Sequence, residues 1–336
     1  MQKIDFVILW VDGNDPAWQK EKAKFSPEKS ADDNNVRYRD WETLRYFFRS
    51  VESFAPWVNK IHFVTCGHFP SWLNLNHQKL NFVCHEDFIA KKYLPLFNSS
   101  AIEINIPNIK NLSNNFVYFN DDMFLLRPTQ PADFFKNNLP CDSAILSPII
   151  PKGSDDFHKT LANNVAIINN NFHKHLTKKW FSPKYHSDLL RNFALAPWHN
   201  FPGFYNPHTP ISFNKPLVKK AFALAPDAVE STISSRFRDN NSNITIWLAR
   251  YYQLVTDNFT PRSANFSHYF EYESDNSKMY SAIKRQSYSA ICLNDIPGDY
   301  DFESEKKKTL AALDSILPKK SSFELSEKSN DRKAKK

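Results

Sequence analysis

The stretch from Phe116 to Leu125 has the composition of a buried strand that ends in reactive polar groups. Residues typical of strands are followed at once by Asn120, Asp121 and Asp122, and then an apolar segment resumes. Open α/β sheets bind ligands at the carboxyl ends of their strands. Two adjacent carboxylates there suit Mg²⁺, which takes a few carboxylate oxygens and completes its shell with water and phosphate. An ordinary Asn-Asp turn fits the same residues, so both interpretations stay open at this point.

Three other ionisable residues stand where predicted elements begin or end. Asp12 either binds a metal, ribose or base or caps the following helix, where Asp15-Pro16 also fits a cap. Glu103 is acidic in apolar company, which suits a functional carboxylate or a group that accepts backbone amides at a helix start. His208 lies in a proline-rich loop and is either a general base or an ordinary surface histidine.

Arginines supply candidate phosphate contacts. Arg45 and Arg49 are four residues apart on a predicted amphipathic helix, so they share a side and either clamp a phosphate or belong to a solvated, salt-bridged face. Arg238 precedes an aromatic helix predicted from Ile244 to Leu254. It either meets a phosphate at that helix or pairs with Asp239.

The elements that must position these residues alternate between strands and helices. This order favours βαβ units and a mainly parallel sheet, hence an α/β fold. A further strand is predicted at Val165–Ile168 and helical structure over 172–196. The predicted strands that carry the candidate site residues or lie beside them are 4–11, 60–65, 79–83 and 116–125.

The 336-residue length allows one large domain with insertions. We predict a single catalytic domain over 1–300 with an insertion at about 129–200. From about residue 301 we predict an amphipathic helix with Leu310, Leu313 and Leu317, then a disordered Lys/Ser-rich end. Residues 303–336 carry ten Lys/Arg against six Asp/Glu, a net +4 out of +7 for the whole chain. This basic tail either touches anionic lipid or stays solvated.

Composition excludes several classes. Only five glycines occur, and no glycine-rich phosphate loop can be written, which argues against dinucleotide-binding and P-loop enzymes. The four cysteines are far apart, which is typical of reduced, mostly buried thiols and not of a zinc site. The amino-terminal apolar run is too short for a signal peptide, and no run of apolar residues is long enough to span a membrane. We therefore expect a cytoplasmic protein, with peripheral contact to the inner membrane through the tail as a further expectation.

Together these segments resemble the Stealth family. The resemblance runs in order through four blocks: Ile4 to Gly13; Arg37-Tyr38-Arg39-Asp40 through Leu44-Arg45-Tyr46 to Asn74; Ala101-Ile102-Glu103 with Phe116 to Phe124; and His208-x-Pro210 with Phe237-Arg238. One departure is Asn240-Asn241-Ser242-Asn243, where the family usually has an acidic pair. The family includes bacterial capsular polysaccharide phosphotransferases and the animal enzyme that begins the mannose-6-phosphate lysosomal tag.

The resemblance implies a nucleotide-sugar-transferase-like (GT-A/Rossmann-like) fold with a mainly parallel sheet flanked by helices and helical insertions. It also implies transfer of a hexose 1-phosphate, such as GlcNAc 1-phosphate, from a UDP-sugar to a saccharide hydroxyl, with release of UMP. Glu103, Asp122, His208 and Arg238 are the implied catalytic positions. We assign Mg²⁺ (or Mn²⁺) to Asp122 and Asp121, and substrate contacts to Asp12, Arg45, Arg49, Asn98 and Asn120.

The expected partners are a nucleotide sugar and a saccharide acceptor, and no nucleic acid. Two other functions remain open from the sequence. A glycosyltransferase on the same fold would release UDP, and a non-catalytic carbohydrate-binding protein would tolerate changes at Asp122. Whether His208 or Glu103 is the base also stays open.

Overall fold

The computed structural model describes residues 3–26, 39–151 and 157–325. Alternating elements build it, as the sequence pattern predicts. In chain order the strands are β1 (Ile4–Leu9), β2 (Ile61–Thr65), β3 (Leu80–Cys84), β4 (Asn115–Phe119), β5 (Met123–Leu125), β6 (Phe135–Lys136), β7 (Leu139–Asp142), β8 (Ile211–Asn214), β9 (Thr260–Pro261), β10 (Ser267–Glu271) and β11 (Ala290–Asn294).

The main sheet has five strands in the order β3-β2-β1-β4-β8. The first four run parallel, and β8 pairs with β4 in the antiparallel sense at the edge. Residues of β1, β2 and β4 are almost all buried, as expected for parallel strands covered on both faces. The predicted α/β class with a mainly parallel sheet is therefore confirmed. Two three-stranded sheets, β10-β11-β5 and β6-β7-β9, complete the strand structure.

Helices cover the sheet on both faces. Asp15 accepts hydrogen bonds from the backbone amides of Ala17 and Trp18 and so caps the first helix, with Pro16 at its first position. The α-helices are α1 (Pro16–Phe25), α2 (Leu44–Phe54), α3 (Ser99–Asn105), α4 (Pro131–Phe134), α5 (Phe157–Asn171), α6 (Leu189–Leu195), α7 (Lys215–Phe222), α8 (Pro226–Ser234), α9 (Trp247–Val255), α10 (Ser277–Lys284) and α11 (Phe302–Asp314).

Of the two predictions for the insertion, the strand is wrong. Residues 165–168 belong to α5 and not to a strand, because Leu161, Val165 and Ile168 recur at helical spacing and are all buried on one face. The prediction of helical structure over 172–196 is largely confirmed, since 3₁₀ helices at Lys178–Phe181 and Pro183–Asp188 lead into α6. Four apolar residues in a row within a longer helix imitate a strand when the helical period is not checked.

The carboxyl-terminal segment is part of the core as far as residue 325. Helix α11 forms as predicted, and Leu313, Leu317 and Phe323 are buried. Glu324 forms an isolated antiparallel bridge with Leu73. The prediction that the Lys/Ser-rich end is disordered is therefore wrong for residues 318–325. Its remainder, 326–336, lies outside the described residues.

Arg49 is a correction to the predicted phosphate clamp. Its Nε and Nη2 donate to Oε1 and Oε2 of Glu324 at 2.8 and 3.0 Å, and Nη1 donates to the carbonyl of Leu317 at 3.1 Å. Asp314 adds a contact at 3.3 Å, and the arginine is only 6% exposed. A guanidinium whose donors are already used by its own chain is not free for substrate phosphate.

Among the described residues, no helix combines the length and the apolar character that crossing a bilayer requires.

We expect Glu324→Ala to lower the free energy of unfolding by about 3 kcal/mol, because it leaves a buried guanidinium without its bidentate partner. Urea denaturation measures the loss. Asp314→Ala is the matched control, since Asp314 is more than half exposed and its pair with Arg49 should contribute at most about 1 kcal/mol. Equal losses for the two variants would contradict this account.

Candidate active site

A cleft of about 620 Å³ opens at the carboxyl ends of β1 and β4. It is large enough for a nucleotide-sized ligand. Its walls combine apolar and aromatic side chains with a group of acids and bases drawn from distant parts of the chain. Seven of the predicted site residues line it: Asp12, Glu103, Asn120, Asp121, Asp122, His208 and Arg238.

The acidic stretch is placed by a sharp turn. Strand β4 ends at Phe119, and the amide of Met123 donates to the carbonyl of Asn120 at 3.2 Å. The chain then leaves the main sheet as β5, which pairs with β11. The Asn-Asp pair is thus a turn, and the same turn also presents its carboxylates to the cleft. The two interpretations of this stretch are compatible.

Asp122 is the best-placed metal ligand. Its Oδ1 is buried and has no hydrogen-bond partner among the described residues. Ligand atoms of Asp122, His208 and Cys292 lie within 4.8 Å of one another. Burial raises the pKa of Asp122, and burial together with the Asp122 carboxylate raises that of Asp121 to about 7. A divalent cation would offset both effects.

The donor set decides which cation fits. Burial and the neighbouring Asp122 raise the pKa of the Cys292 thiol well above its usual value. A thiol is a poor ligand for Mg²⁺, whereas the two carboxylates offer the oxygen atoms that Mg²⁺ and Mn²⁺ take. Asp121 and Asp122 are therefore the residues that would hold such an ion.

A line of hydrogen bonds connects Glu103 to His208. The Tyr118 hydroxyl lies 3.0 Å from Oε1 of Glu103 and 2.6 Å from Oδ1 of Asn120. Asn120 Nδ2 lies 3.0 Å from Nε2 of His208. The sequence analysis missed Tyr118, although the signal was available. Residues two apart on a strand share a face, which puts Tyr118 beside Asn120.

Enclosure by protein raises the pKa of Glu103 to about 7, while Tyr118 and Arg238 oppose that shift. The carboxyl is therefore held close to its titration point at neutral pH, a property typical of functional acids. Arg238 is exposed in the cleft wall, and its Nη2 donates to Oγ of Ser99 at 2.7 Å. It shows no ion pair with Asp239 among the contacts of the described residues, so the alternative predicted for it has no support.

The imidazole of His208 is held from several sides. Its backbone is left-handed, with φ of 43°, which is uncommon for a residue other than glycine. Its ring stacks on that of Tyr269, with centroids 5.4 Å apart and an interplanar angle of 16°. A histidine fixed in this way is not an ordinary surface residue. Tyr269, on β10, carried no distinguishing sequence signal.

Asp12 lines the cleft but does not cap α1, because Asp15 does so. Its backbone amide donates to Nε2 of His68 at 2.8 Å, and its Oδ1 accepts from the amide of Asn14. The other carboxylate oxygen is the atom that remains for a ligand. Asp12 therefore stays a candidate for substrate contact.

Two predicted substrate contacts need correction. Asn98 is fully buried, and its Nδ2 donates to the carbonyl of Ser235 and to Oδ1 of Asn243. It anchors the loop that carries Arg238 and does not line the cleft. Arg45 also lies outside the cleft lining, with its guanidinium 5.5 Å from the ring centre of Trp72.

The Asn-rich loop after Arg238 has a structural explanation. Asn163 on α5 donates to the carbonyls of Asn241 and Asn243 at 3.1 and 2.9 Å. Asn243 in turn accepts from the amide of Asp239. Amide side chains thus fix the backbone where the family usually carries acids.

Comparison with known proteins gives two family matches. Residues 2–30 match "Stealth protein CR1, conserved region 1", and residues 37–142 match "Stealth protein CR2, conserved region 2". The segments 37–74 and 101–124, predicted as separate blocks, both fall within the second region.

Curated relatives match over nearly the full length. The capsular polysaccharide phosphotransferase WcwK of Streptococcus pneumoniae is 41% identical, covering 96% of this chain and 98% of that protein. The exopolysaccharide phosphotransferase cps2G of Lactiplantibacillus plantarum is 41% identical, covering 96% of each. The receptor polysaccharide phosphotransferase WefC of Streptococcus oralis is 36% identical, covering 97% of this chain and all of that protein.

Among solved structures, the galactosyltransferase LgtC in complex with donor and acceptor sugar analogs superposes with a TM-score of 0.42 at 10% identity. The match covers 98% of this chain and 99% of LgtC. A TM-score of this size supports no inference about function.

We expect Glu103→Gln to stabilise the fold at pH 8 but not near pH 4. The folded-state pKa of about 7 exceeds the ordinary 4.5, so Glu103 contributes stability below pH 4.5 that is lost as the pH rises through about 7. The gain at pH 8 should be about 2–3 kcal/mol. Thermal melts at both pH values measure it, with the exposed Glu86→Gln as control. A gain that is the same at both pH values would contradict this assignment.

Proposed function

Because this chain belongs to the Stealth family, it is a phosphotransferase, and we propose that it moves a hexose 1-phosphate from a UDP-sugar to a hydroxyl of a saccharide acceptor. The product is a sugar–phosphate–sugar diester, and its role is in capsule or exopolysaccharide synthesis. The observation that carries this proposal is the grouping of an acidic pair, a fixed histidine and an exposed arginine in one cleft. This is the equipment that phosphoryl transfer requires, since its catalysis consists mainly of positioning and charge neutralisation.

In the proposed reaction the acceptor oxygen forms a bond to the β-phosphorus. The bond from that phosphorus to the oxygen bridging the two phosphates breaks, and UMP leaves with the bridging oxygen. The bond at the anomeric carbon is untouched, so the donor configuration is retained. The proton of the acceptor hydroxyl passes to His208, the general base.

Asp121 and Asp122 are the residues that would hold Mg²⁺ or Mn²⁺. When bound, the ion neutralises charge on the phosphates and orients them. Arg238 lines the same cleft and would bind phosphate oxygens by charge-assisted hydrogen bonds. Asp12 and Asn120 would contact the donor, and Glu103 acts through the hydrogen-bonded line that reaches His208.

We expect the purified protein, given a panel of UDP-sugars, Mg²⁺ and capsule oligosaccharide, to release UMP only when the acceptor is present. Chromatography of the released nucleotide makes the measurement. Release of UDP would replace this proposal with sugar transfer by a glycosyltransferase. A protein that binds saccharide without any turnover, and that tolerates Asp122→Asn, would be a binding protein.

Two variants sharpen this experiment. His208→Ala should reduce turnover by about 100-fold or more, the usual range for a general base, while nucleotide-sugar affinity stays near that of the wild type. Asp122→Asn should remove turnover together with Mn²⁺ binding. Electron paramagnetic resonance measures that binding without substrate: the wild type should reduce the signal of free Mn²⁺, and the variant should leave it unchanged. Normal turnover in His208→Ala, or loss of donor binding, would rule out its role as the base.

We also propose peripheral contact with the inner membrane, at a different surface from the tail predicted above. Residues 172–200 carry five Lys/Arg against one acid, a net +4 of the chain's +7. They also expose large apolar side chains, with Leu190 70%, Phe193 57% and Trp198 61% exposed. Basic residues beside exposed aliphatic and aromatic side chains suit an anionic lipid surface, although Lys174, Lys179, Lys184 and Arg191 also contact carbonyl or carboxylate oxygens of the chain itself.

Packing brings the two kinds of side chain together. The ring of Phe193 on α6 lies 5.0 Å from that of Phe181, which is two residues after Lys179 in the chain. Leu190 and Phe193 are one helical turn apart and share the outward face of α6. This membrane-facing surface and a cytoplasmic location together form one proposal about where the enzyme works.

We expect the protein to co-sediment with vesicles containing phosphatidylglycerol and not with pure phosphatidylcholine vesicles, and to be released by salt because exposed charges are screened. The double variant Leu190→Ser/Trp198→Ser should lower binding several-fold. Phe69→Ser is the matched control, since Phe69 is an exposed aromatic elsewhere on the surface. Removal of residues 326–336 should leave binding intact. If the deletion abolishes vesicle binding, or the double variant binds as well as the wild type, the assignment of lipid contact to residues 172–200 is wrong.

A further inference from the structure

The hydroxyl of Tyr118 has one hydrogen but two acceptor oxygens within hydrogen-bond distance, on Glu103 and Asn120. One neighbour must therefore supply a hydrogen of its own. Because Asn120 also contacts His208, the acceptor that Tyr118 uses for its hydrogen determines whether Asn120 donates to the imidazole or accepts from it. Two arrangements matter for His208: one in which Glu103 donates to Tyr118 and one in which it accepts.

In the first arrangement Glu103 is protonated and donates to Tyr118. Tyr118 donates to Oδ1 of Asn120, whose Nδ2 donates to Nε2 of His208. An imidazole that accepts at Nε2 carries its proton on Nδ1. Neither ring nitrogen then offers a lone pair to an acceptor hydroxyl.

In the second arrangement Glu103 is ionised and accepts from Tyr118. The amide of Asn120 is turned over, so that Nδ2 donates to the Tyr118 oxygen and Oδ1 accepts from His208 Nε2–H. The lone pair of the imidazole is now on Nδ1. The same arrangement also accommodates the imidazolium that forms when His208 takes a proton, because Nε2–H still has its acceptor. The first arrangement cannot do this, since it aims an amide N–H at Nε2.

We propose that Tyr118 and Asn120 link the charge of Glu103 to the tautomer of His208, so that His208 can act as a base only when Glu103 is ionised. Tyr118 and Asn120 are positioning residues in this account, and Glu103 acts through them. The inference rests on the proposed role of His208 as the base for the acceptor hydroxyl.

The surroundings of both ends are compatible with this link. Tyr118 on β4, Arg238 on the loop after α8 and the amide of Ile246 face the Glu103 carboxyl, and its pKa of about 7 makes both charge states accessible near neutral pH. Tyr118 is 3% exposed, so most of its side chain is shielded from water. Around His208 lie the Asp122 carboxylate, the Cys292 thiol and the ring of Tyr269. Among the described residues, none of these three groups forms a hydrogen bond with Tyr118 or Glu103.

The test reads the tautomer directly and needs no substrate. The protein is labelled with ¹⁵N-histidine, and His208 is assigned by the signal missing in His208→Gln. We expect the neutral imidazole of the wild type to carry its proton on Nε2 at pH 8.5. Glu103→Gln should hold it on Nδ1 at the same pH when the amide turns its Nε2 toward Tyr118, where it donates as a protonated glutamate does.

Tyr118→Phe supplies the decisive comparison. In that background Glu103→Gln should no longer change the His208 tautomer. Tyr93→Phe is the matched control, since it removes another Tyr–Glu hydrogen bond, to Glu230, far from the cleft, and the response to Glu103→Gln should survive it. An identical tautomer in wild type and Glu103→Gln, or an undiminished response in the Tyr118→Phe background, would overturn the link.

Turnover gives the second readout. With the wild type, kcat should fall as the pH drops through the Glu103 titration, and Glu103→Gln should lose on the order of 100-fold at pH 8.5, the contribution of a general base. If Glu103→Gln changes the His208 tautomer but does not lower turnover, the link between Glu103 and His208 stands and His208 is not the general base. The two failures are thus distinguishable.

Discussion

The pleat of β4 puts Tyr118 and Asn120 on one face of the main sheet and Phe119 on the other. Phe119 packs between Phe6 and Phe47 in the core, with ring centroids 4.7 and 5.3 Å away. The buried ring therefore fixes the register of the strand, and the register fixes which side chains face the cleft. A slip of one residue would bury Asn120 and remove the hydrogen bond to His208. Packing on one face of the sheet thereby sets the geometry of polar groups on the other.

The protein treats buried charge in two ways. Outside the cleft, Arg49 is paired with Glu324, and Arg250 with Asp142 at 2.7 Å, so each buried guanidinium has a carboxylate. Three acids line the cleft, and burial raises the pKa of each: Glu103, Asp121 and Asp122. Neighbours such as Tyr118 and Arg238 at Glu103, and His208 at Asp122, oppose this effect without cancelling it. Acids whose ionisation is only partly compensated are typical of a site shaped by function at the expense of stability.

Much of the fold and of the site could be predicted from local patterns. Apolar strands ending in polar residues predicted β1 and β4, and the acids after β4 do line the cleft. The prediction that Arg49 contacts substrate was wrong because its partner, Glu324, lies 275 residues away in the chain, and no local sequence pattern indicates that contact. The prediction that Asn98 contacts substrate was wrong for the same reason, since its side chain binds a loop near residue 240. The sequence places Tyr118 on the same face as Asn120, but its role could not be predicted. That role follows from two acceptor oxygens lying close to a hydroxyl that has one hydrogen, and only the distances show this.

Closure of the core by Glu324 also has a consequence for biosynthesis. Helix α2, which carries Arg49, emerges from the ribosome long before the residues that neutralise it. Until they arrive, a cation faces the position later covered by Leu317 and Phe323, and the hydrophobic surface there stays open. An incompletely translated chain therefore presents both a misplaced charge and an uncovered apolar surface, the features by which chaperones and proteases recognise unfinished protein. The contact that completes the fold thus also distinguishes full-length copies from fragments.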